Sequence, residues 1–233
     1  MTQLLISVTT IKEAQIALEN GADFIDLKDP SKGALGALPL SRISEIVTFV
    51  SANGEHERKL TSATIGDLPM EPQLILEQVV ALAKTKVDII KIGFFKEFDG
   101  KFSDYQSCLD SLKTITQTGV KLIAVLFAEY EYPASLILAI RNAGFYGVML
   151  DTADKNGATF LDYFSPEKIK KLAENVQTQG LLFGLAGSLN VHHVAMAKKV
   201  NPNYIGFRGG VCADNQRKSG LDAEKIRVIR KVM

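Results

Sequence analysis

The stretch ADFIDLK at residues 22–28 is a short apolar run whose C-terminal end carries two charged side chains, Asp26 and Lys28. Three further apolar runs carry a charged residue in a comparable place: Lys91 in DIIKIGF (88–94), Asp151 in GVMLD (147–151) and Arg208 in YIGFRGG (204–210). Because burying an ion is costly even after the protein relaxes, the interior of a strand ordinarily excludes charge. Charged residues at the same end of several strands therefore indicate an active site.

Strand-like and helix-like segments alternate along the whole chain. The strand-like runs are short and mostly continuous in apolar residues, as in strands that helices cover. They are LLISV (4–8), ADFIDLK (22–28), LTSATIG (60–66), DIIKIGF (88–94), KLIAVLF (121–127), GVMLDT (147–152), LLFGLAGS (181–188) and NYIGFRGG (203–210). The amphipathic stretches between and after them span 11–21, 40–50, 72–84, 107–119, 134–144, 166–180, 189–200 and 221–232.

Eight strands that alternate with eight helices predict a single (β/α)8 TIM barrel, one catalytic domain over residues 1–233. A doubly wound open sheet is the alternative, but no glycine-rich dinucleotide turn follows the first strand. Helix ends support the pattern, since glycine is the usual C-terminal residue and Ser165-Pro166 is typical of a helix start. The expected helix-ending glycines are Gly21, Gly119, Gly144 and Gly180.

Composition excludes several classes of function. With 27 basic and 26 acidic residues the net charge is +1, so we expect no nucleic-acid partner and no anionic membrane surface. The N-terminus lacks the pattern of a signal peptide, and no apolar run approaches the roughly 20 residues that span a bilayer. The two cysteines have no metal-binding or CxxC spacing, which favours free thiols and a cytoplasmic location. Apolar positions on the outer helices suit either the core or an interface, so a homo-oligomer stays open.

The alternation of side chains along a strand predicts where the charges point. Asp26 and Lys28 share one face of their strand, and their aliphatic neighbours take the other face. If the aliphatic residues pack on the helices, Asp26 and Lys28 point into the barrel, and the same alternation directs Lys91 and Asp151 inward. The alternative is a pair of internal ion pairs with a purely structural role.

A lysine in such a site has two common roles. Its neutral amine can attack a carbonyl carbon to form a Schiff base, or the group can act as a general acid or base. Two neighbouring lysines allow one of each role, because each cation lowers the pKa of the other. Lys155, in the loop after the sixth strand, is expected on the same face. The alternative is that Lys155 is an ordinary solvated lysine of the loop with no role in the site.

The ends of the seventh and eighth strands predict a phosphate site. In many barrels the loops after these strands bind phosphate through backbone N–H groups. Close approach of the backbone is favoured at Gly187, Ser188, Gly209 and Gly210, and Arg208 adds a charge. Glycines used for turns alone are the alternative. The expected substrate is a small phosphorylated carbonyl compound, and the sequence indicates no metal site and no cofactor.

At these residues the sequence resembles the (5-formylfuran-3-yl)methyl phosphate synthase family of methanofuran biosynthesis. The resemblance lies in an ordered set of motifs over nearly the whole chain: DLKDPSKGALGA (26–37), SATIGD (62–67), IKIGF (90–94), GVMLDTADKNG (147–157), LAGSL (185–189) and GFRGG (206–210). Each motif alone is weak, and the ordered set is specific. The stretches 53–59 and 94–104 carry no assigned role.

The resemblance implies a lyase that condenses two molecules of glyceraldehyde 3-phosphate into 4-(hydroxymethyl)-2-furancarboxaldehyde phosphate, with loss of phosphate and water. It implies that Lys28 forms the Schiff base and that Lys91 accepts a proton. Asp26, Asp151 and Lys155 match other polar residues of the family's site. Geometry inferred from the sequence alone permits either lysine to form the imine.

Two rival functions come from different classes. Another class I aldolase acting on a small sugar phosphate would need the same lysine and phosphate site, but it would not release phosphate. A non-catalytic binding protein on a barrel would tolerate replacement of Lys28 or Lys91.

Overall fold

The computed structural model of the chain describes residues 2–53, 58–95 and 105–233. Most of the stretches 53–59 and 94–104 lies outside the described residues. All candidate site residues lie within them.

The described residues form strands and helices in alternation. The strands are β1 (Gln3–Val8), β2 (Phe24–Leu27), β3 (Leu60–Thr64), β4 (Ile89–Gly93), β5 (Lys121–Phe127), β6 (Gly147–Asp151), β7 (Leu182–Leu185) and β8 (Tyr204–Phe207). The α-helices are α1 (Ile11–Glu19), α2 (Leu40–Asn53), α3 (Pro72–Ala83), α4 (Tyr105–Thr116), α5 (Leu136–Asn142), α6 (Phe160–Tyr163), α7 (Pro166–Thr178), α8 (Val194–Lys198) and α9 (Ala223–Val232). Short 3-10 turns at Val191–His193, Gly209–Val211 and Ala213–Asn215 complete the loops around β8.

The strands close into a parallel barrel in chain order, with β8 paired to β1. This confirms the predicted (β/α)8 TIM barrel. The structure adds one helix to the predicted pattern, since the loop after β6 contains the single turn α6. Thr159 caps this turn by accepting a hydrogen bond from the N–H of Leu161, and its own N–H donates to the carboxylate of Asp162. A capping box therefore explains the extra helix.

Helix ends follow the sequence signals. The hydroxyl of Ser165 accepts a hydrogen bond from the N–H of Lys168, and Pro166 occupies the first turn of α7. The predicted helix-ending glycines have φ between 75° and 92°, a left-handed conformation that costs other residues more. They are Gly21, Gly119, Gly144 and Gly180.

The two faces of the strands pack into two different apolar layers. Outward-facing residues pack on the helices in one large core: Ile25, Leu27, Ile90, Ile92, Val148 and Leu150 are among them. Inward-facing residues fill the barrel in a second cluster: Leu5, Phe24, Ile89, Ile123, Val125, Met149 and Tyr204 are among these. The alternation predicted for the charged strands is therefore confirmed, because the aliphatic neighbours of Asp26, Lys91 and Asp151 pack outward.

Strand register brings inward polar side chains to one level. Ser7, Asp26 and Ser62 are cross-strand partners on three consecutive strands, and Thr64 pairs with Lys91. These residues lie toward the carboxyl ends of their strands, where barrel active sites form. Across the described residues, no helix combines the length and apolar character needed to span a membrane.

Tyr204 fills the barrel beneath this polar level. A Cβ atom built on Gly184 would lie 2.1 Å from Cζ of Tyr204, so the ring occupies the space that a larger residue would take. The ring is 1% exposed, and within the described residues its hydroxyl has no hydrogen-bond partner. An unsatisfied buried hydroxyl destabilises a protein by about 1–3 kcal/mol.

We predict that Tyr204→Phe leaves stability unchanged or raises the free energy of unfolding by about 1 kcal/mol, because it removes an unpaired polar group. The matched control is Tyr132→Phe, since the hydroxyl of Tyr132 donates to the Phe94 carbonyl at 2.8 Å and accepts from the Phe127 N–H at 2.9 Å. The control should lose about 1–3 kcal/mol. Urea unfolding measures both, and an equal loss in the two variants would contradict the prediction.

Candidate active site

A cavity of about 340 Å³ opens at the carboxyl ends of the strands. Its size falls in the range of about 300–1,000 Å³ that is usual for small-molecule sites. Eight of the ten residues predicted for the site line it: Lys28, Asp151, Lys155, Gly187, Ser188, Arg208, Gly209 and Gly210. Further lining residues include Ser7, Asn190, Asn215, Gln216 and Arg217.

Asp26 and Lys91 form a buried pair below this cavity. The Lys91 ammonium lies 2.5 Å from Oδ1 of Asp26, and both side chains are at most 1% exposed. Ser62 donates a hydrogen bond to Oδ1 at 2.7 Å and Ser7 donates one to Oδ2 at 2.8 Å. Every oxygen of the Asp26 carboxylate is therefore paired, as a buried charge requires.

Burial and charge act in opposite directions on this pair. Burial disfavours an ionised Asp26, but the Lys91 and Lys28 cations and the Lys91 and Ser62 hydrogen bonds outweigh it and hold the pKa of Asp26 below its usual range. Burial lowers the pKa of Lys91, and the Lys28 cation lowers it further, although the Asp26 carboxylate opposes both effects. Asp26 is thus kept as an anion, while Lys91 can give up its proton more readily than a solvated lysine.

Asp151 is the centre of a second charged group in the cavity wall. Lys155 lies 2.8 Å from its Oδ1 atom, and Lys28 lies 3.9 Å from its Oδ2 atom. The backbone N–H of Thr152 donates to Oδ1 at 2.7 Å, and Lys155 also contacts the Thr152 carbonyl. One carboxylate therefore orients two lysines.

The second group is also perturbed by its surroundings. Burial disfavours an ionised Asp151, but the Lys155 and Lys28 cations and two hydrogen bonds dominate and lower its pKa to about 2. Burial lowers the pKa of Lys155 despite the neighbouring Asp151 carboxylate. Asp151 is consequently an anion throughout the physiological range.

The two lysines named as candidate nucleophiles differ in access. Lys28 follows directly after β2, lines the cavity, and is 7% exposed. Lys91 lies within β4 at 1% exposure and, among the described residues, neither it nor Asp26 is part of the cavity wall. Of these two lysines, Lys28 alone is part of the cavity wall, which favours it as the nucleophile.

The loops after β7 and β8 supply further residues of the cavity wall. Gly187 and Ser188 follow β7 with φ of 99° and 53°, and Gly209 and Gly210 follow β8. Within the described part of the chain, the N–H groups of these four residues donate to no protein acceptor. A Cβ atom on Gly210 would lie 2.3 Å from the Leu189 carbonyl oxygen, so only glycine lets the two loops approach this closely.

The guanidinium of Arg208 is bonded within the protein. It donates to Oε2 and Oε1 of Glu13 at 2.7 and 3.0 Å, and to the carbonyls of Ser7, Arg217 and Ser219 at 2.8–3.0 Å. An arginine has five N–H donors, and these contacts use all five. The head group of Arg208 therefore holds the loop after β8 in place, and the predicted charge-assisted contact with a phosphate would have to replace one of these bonds.

Several residues of the cavity wall were not selected from the sequence, Ser7 and Arg217 among them. Ser7 was detectable, because it is the one polar side chain at an inward position of the apolar run LLISV. Arg217 had no such signal, since it lies on a loop nine residues beyond Arg208 and outside any periodic pattern. In residues 2–53, 58–95 and 105–233, no group of three or more His, Cys, Asp or Glu side chains could hold a metal ion.

Comparison with known proteins gives a consistent family match. Residues 4–230 match the family described as 4-HFC-P synthase. A Methanococcus maripaludis (strain C7) protein named (5-formylfuran-3-yl)methyl phosphate synthase is 33% identical over 242 residues, which cover 98% of each chain. A protein of the same name from Methanocaldococcus jannaschii is 30% identical over 98% of each chain.

Solved structures agree on the fold. The crystal structure of 3-hexulose-6-phosphate synthase matches all of both chains with a TM-score of 0.67 and 15% sequence identity. A likeness at this identity concerns the barrel alone.

The Asp26–Lys91 pair should behave as one unit in stability measurements. We predict that Asp26→Asn and Lys91→Met each lower the free energy of unfolding by about 3–5 kcal/mol, since each leaves an uncompensated buried charge. The double variant should lose much less than the sum of the two. Urea unfolding of all four proteins tests this, and additive losses would rule out the coupling.

Asp151 should make stability depend on acid pH. Its folded pKa of about 2 lies below its unfolded value, so its contribution is present above about pH 4 and is lost as pH falls through 2. We predict that the wild type loses about 2 kcal/mol more than Asp151→Asn between pH 5 and pH 2. Urea unfolding at both pH values measures this loss. Asp214→Asn, at an exposed position in the loop after β8, is the control and should parallel the wild type.

Proposed function

The chain belongs to the 4-HFC-P synthase family, and from this we propose that it makes 4-(hydroxymethyl)-2-furancarboxaldehyde phosphate for methanofuran biosynthesis. The proposed substrate is glyceraldehyde 3-phosphate, of which two molecules are consumed. Their atoms balance as one furan phosphate, one inorganic phosphate and two water molecules. The reaction needs no external oxidant or reductant, and the proposed enzyme uses no cofactor.

The observation that carries the mechanism is the position of Lys28 in the cavity wall, 3.9 Å from Asp151. In the proposed first step the neutral Lys28 amine attacks the aldehyde carbon of one triose. Loss of water then gives a protonated imine, which acidifies the adjacent C–H bond. Removal of that proton allows the phosphate on the third carbon to leave.

Lys91 suits the role of acid and base beneath the imine. Burial lowers the pKa of Lys91, so its ammonium gives up a proton more readily than that of a solvated lysine. Asp26, 2.5 Å away, stabilises the cation that forms when the amine takes a proton back. We place Lys91 as the proton acceptor and Asp26 as the residue that orients it. Ser7 and Ser62 fix Asp26 in turn through their hydrogen bonds.

Asp151 and Lys155 suit the later steps at the cavity mouth. The eliminated triose must form a carbon–carbon bond to a second triose, and the product must then cyclise and lose water. These steps move protons among hydroxyl and carbonyl oxygens. Lys155, held by Asp151 at 2.8 Å, can donate to such oxygens, and Asp151 remains charged to balance the imine cation.

The loops after β7 and β8 supply the proposed phosphate site. Four residues whose backbone N–H groups have no protein acceptor in the described residues belong to the same cavity wall as Lys28. Adjacent N–H groups of this kind form concave sites for anions. The cavity is large enough for a small phosphorylated substrate, and we place the enzyme in the cytoplasm, where such metabolites occur.

Trapping tests the nucleophile. We predict that borohydride in the presence of glyceraldehyde 3-phosphate fixes an adduct on Lys28, which peptide mass spectrometry locates. Lys28→Met should form no adduct and lose at least about a thousandfold in product formation, because the covalent step is removed. Lys32→Met, on the exposed part of the same loop, is the matched control and should keep both properties.

The same incubation without borohydride separates the rival functions. Release of inorganic phosphate with a furan-aldehyde absorbance supports the synthase. An adduct without phosphate release would indicate a class I aldolase, and an adduct on Lys91 would exchange the roles of the two lysines. Absence of any adduct would refute the Schiff-base mechanism.

A further inference from the structure

Arg217 lies at the mouth of the cavity beside the glycines that follow β8. A Cβ atom built on Gly209 would lie 3.7 Å from Cβ of Arg217, so the first side-chain atom of the arginine is close to Gly209. Its side chain lines the same cavity wall as these glycines.

The loop that carries Arg217 is held rigidly from below. Arg208, fixed by two hydrogen bonds to Glu13, donates to the carbonyl oxygens of Arg217 and Ser219. Glu13 is itself oriented by the N–H and hydroxyl of Thr9, which both donate to Oε2. A buried ion pair therefore anchors the backbone of Arg217 and leaves its side chain directed over the cavity.

Most of the Arg217 guanidinium is not used by the protein. One Nη2 N–H donates to the carbonyl of Gly33 at 2.9 Å, and this is the sole protein acceptor of its five donors within the described residues. No described carboxylate lies within 4.0 Å of it, whereas Lys28, Lys91, Lys155 and Arg208 all have one. The head group is thus a cation with no close ion-pair partner among the described residues, and Asp151, Asp67 and Asp29 act on it only at longer range.

The contact with Gly33 joins the two loops that border the cavity. Gly33 lies in the loop after β2, five residues beyond Lys28, and Asp67 fixes this loop by accepting hydrogen bonds from the N–H groups of Ala34 and Leu35 at 2.7 and 2.6 Å. Arg217 thus spans the entrance between the proposed nucleophile's loop and the glycine loop.

We propose that Arg217 is the side-chain ligand for the substrate phosphate and that it completes the site formed by the N–H groups of Gly187, Ser188, Gly209 and Gly210. A guanidinium with four available donors can bind a phosphate monoester dianion through two parallel hydrogen bonds, a geometry that an ammonium lacks. In this proposal the charge-assisted side-chain contact with the phosphate, which the sequence suggested for Arg208, is made by Arg217. This inference rests on the proposed function only for the identity of the substrate, a triose phosphate.

Binding of inorganic phosphate tests the ligand without requiring turnover. Wild type, Arg217→Met, Arg217→Lys and the neighbouring exposed control Lys218→Met would be titrated with phosphate and followed by calorimetry, with urea unfolding to verify folding. Arg217→Met should weaken phosphate binding about tenfold or more, as expected for loss of a charge-assisted hydrogen bond. Arg217→Lys should recover part of the affinity, and Lys218→Met should match the wild type.

Kinetics with glyceraldehyde 3-phosphate separate binding from chemistry. In Arg217→Met the KM should rise at least about tenfold while the borohydride adduct still forms on Lys28 at saturating substrate. Unchanged phosphate affinity in Arg217→Met, or no saturable phosphate binding by the wild type, would overturn the inference. Arg217-dependent phosphate binding in an enzyme that releases no phosphate from the triose would instead refute the proposed function alone.

Discussion

Two carboxylates shared among three lysines hold the end of this barrel together. Asp26 neutralises Lys91, and Asp151 lies between Lys28 and Lys155, all at low exposure. A lone buried ion would shift its pKa or destabilise the fold by several kcal/mol, so these groups can stay charged only if the strands keep their register. Ser7, Asp26 and Ser62 are cross-strand partners. The register that closes the barrel is therefore also the register that assembles the site.

The Arg208–Glu13 pair shows that a buried charge at a strand end can also have a purely structural role. Like the lysines, Arg208 lies at the carboxyl end of an apolar strand, yet all five of its donors bond to the protein. Lys28 instead has one carboxylate at 3.9 Å and an open side toward the cavity. A charge at a strand end thus identifies the functional end of a barrel, and the number of its donors left free distinguishes an architectural residue from a reactive one.

The sequence was sufficient to predict the barrel and eight of the residues that line the cavity. Both depend on local periodicity: aliphatic residues alternate with Asp26, Lys91 and Asp151, and glycines end the helices. What the sequence could not supply is pairing between distant segments. Arg208 meets Glu13 across 195 positions, and Arg217 meets Gly33 across 184. No local pattern encodes such contacts. The sequence therefore suggested Arg208 as the phosphate ligand, whereas we propose Arg217.

Charge balance links the two parts of the site to an anionic substrate. With every group ionised, Lys28, Lys91 and Lys155 exceed Asp26 and Asp151 by one positive charge, and Arg217 at the mouth adds another. A phosphate monoester carries about two negative charges at neutral pH. Binding of a triose phosphate would therefore neutralise a site that is cationic when empty.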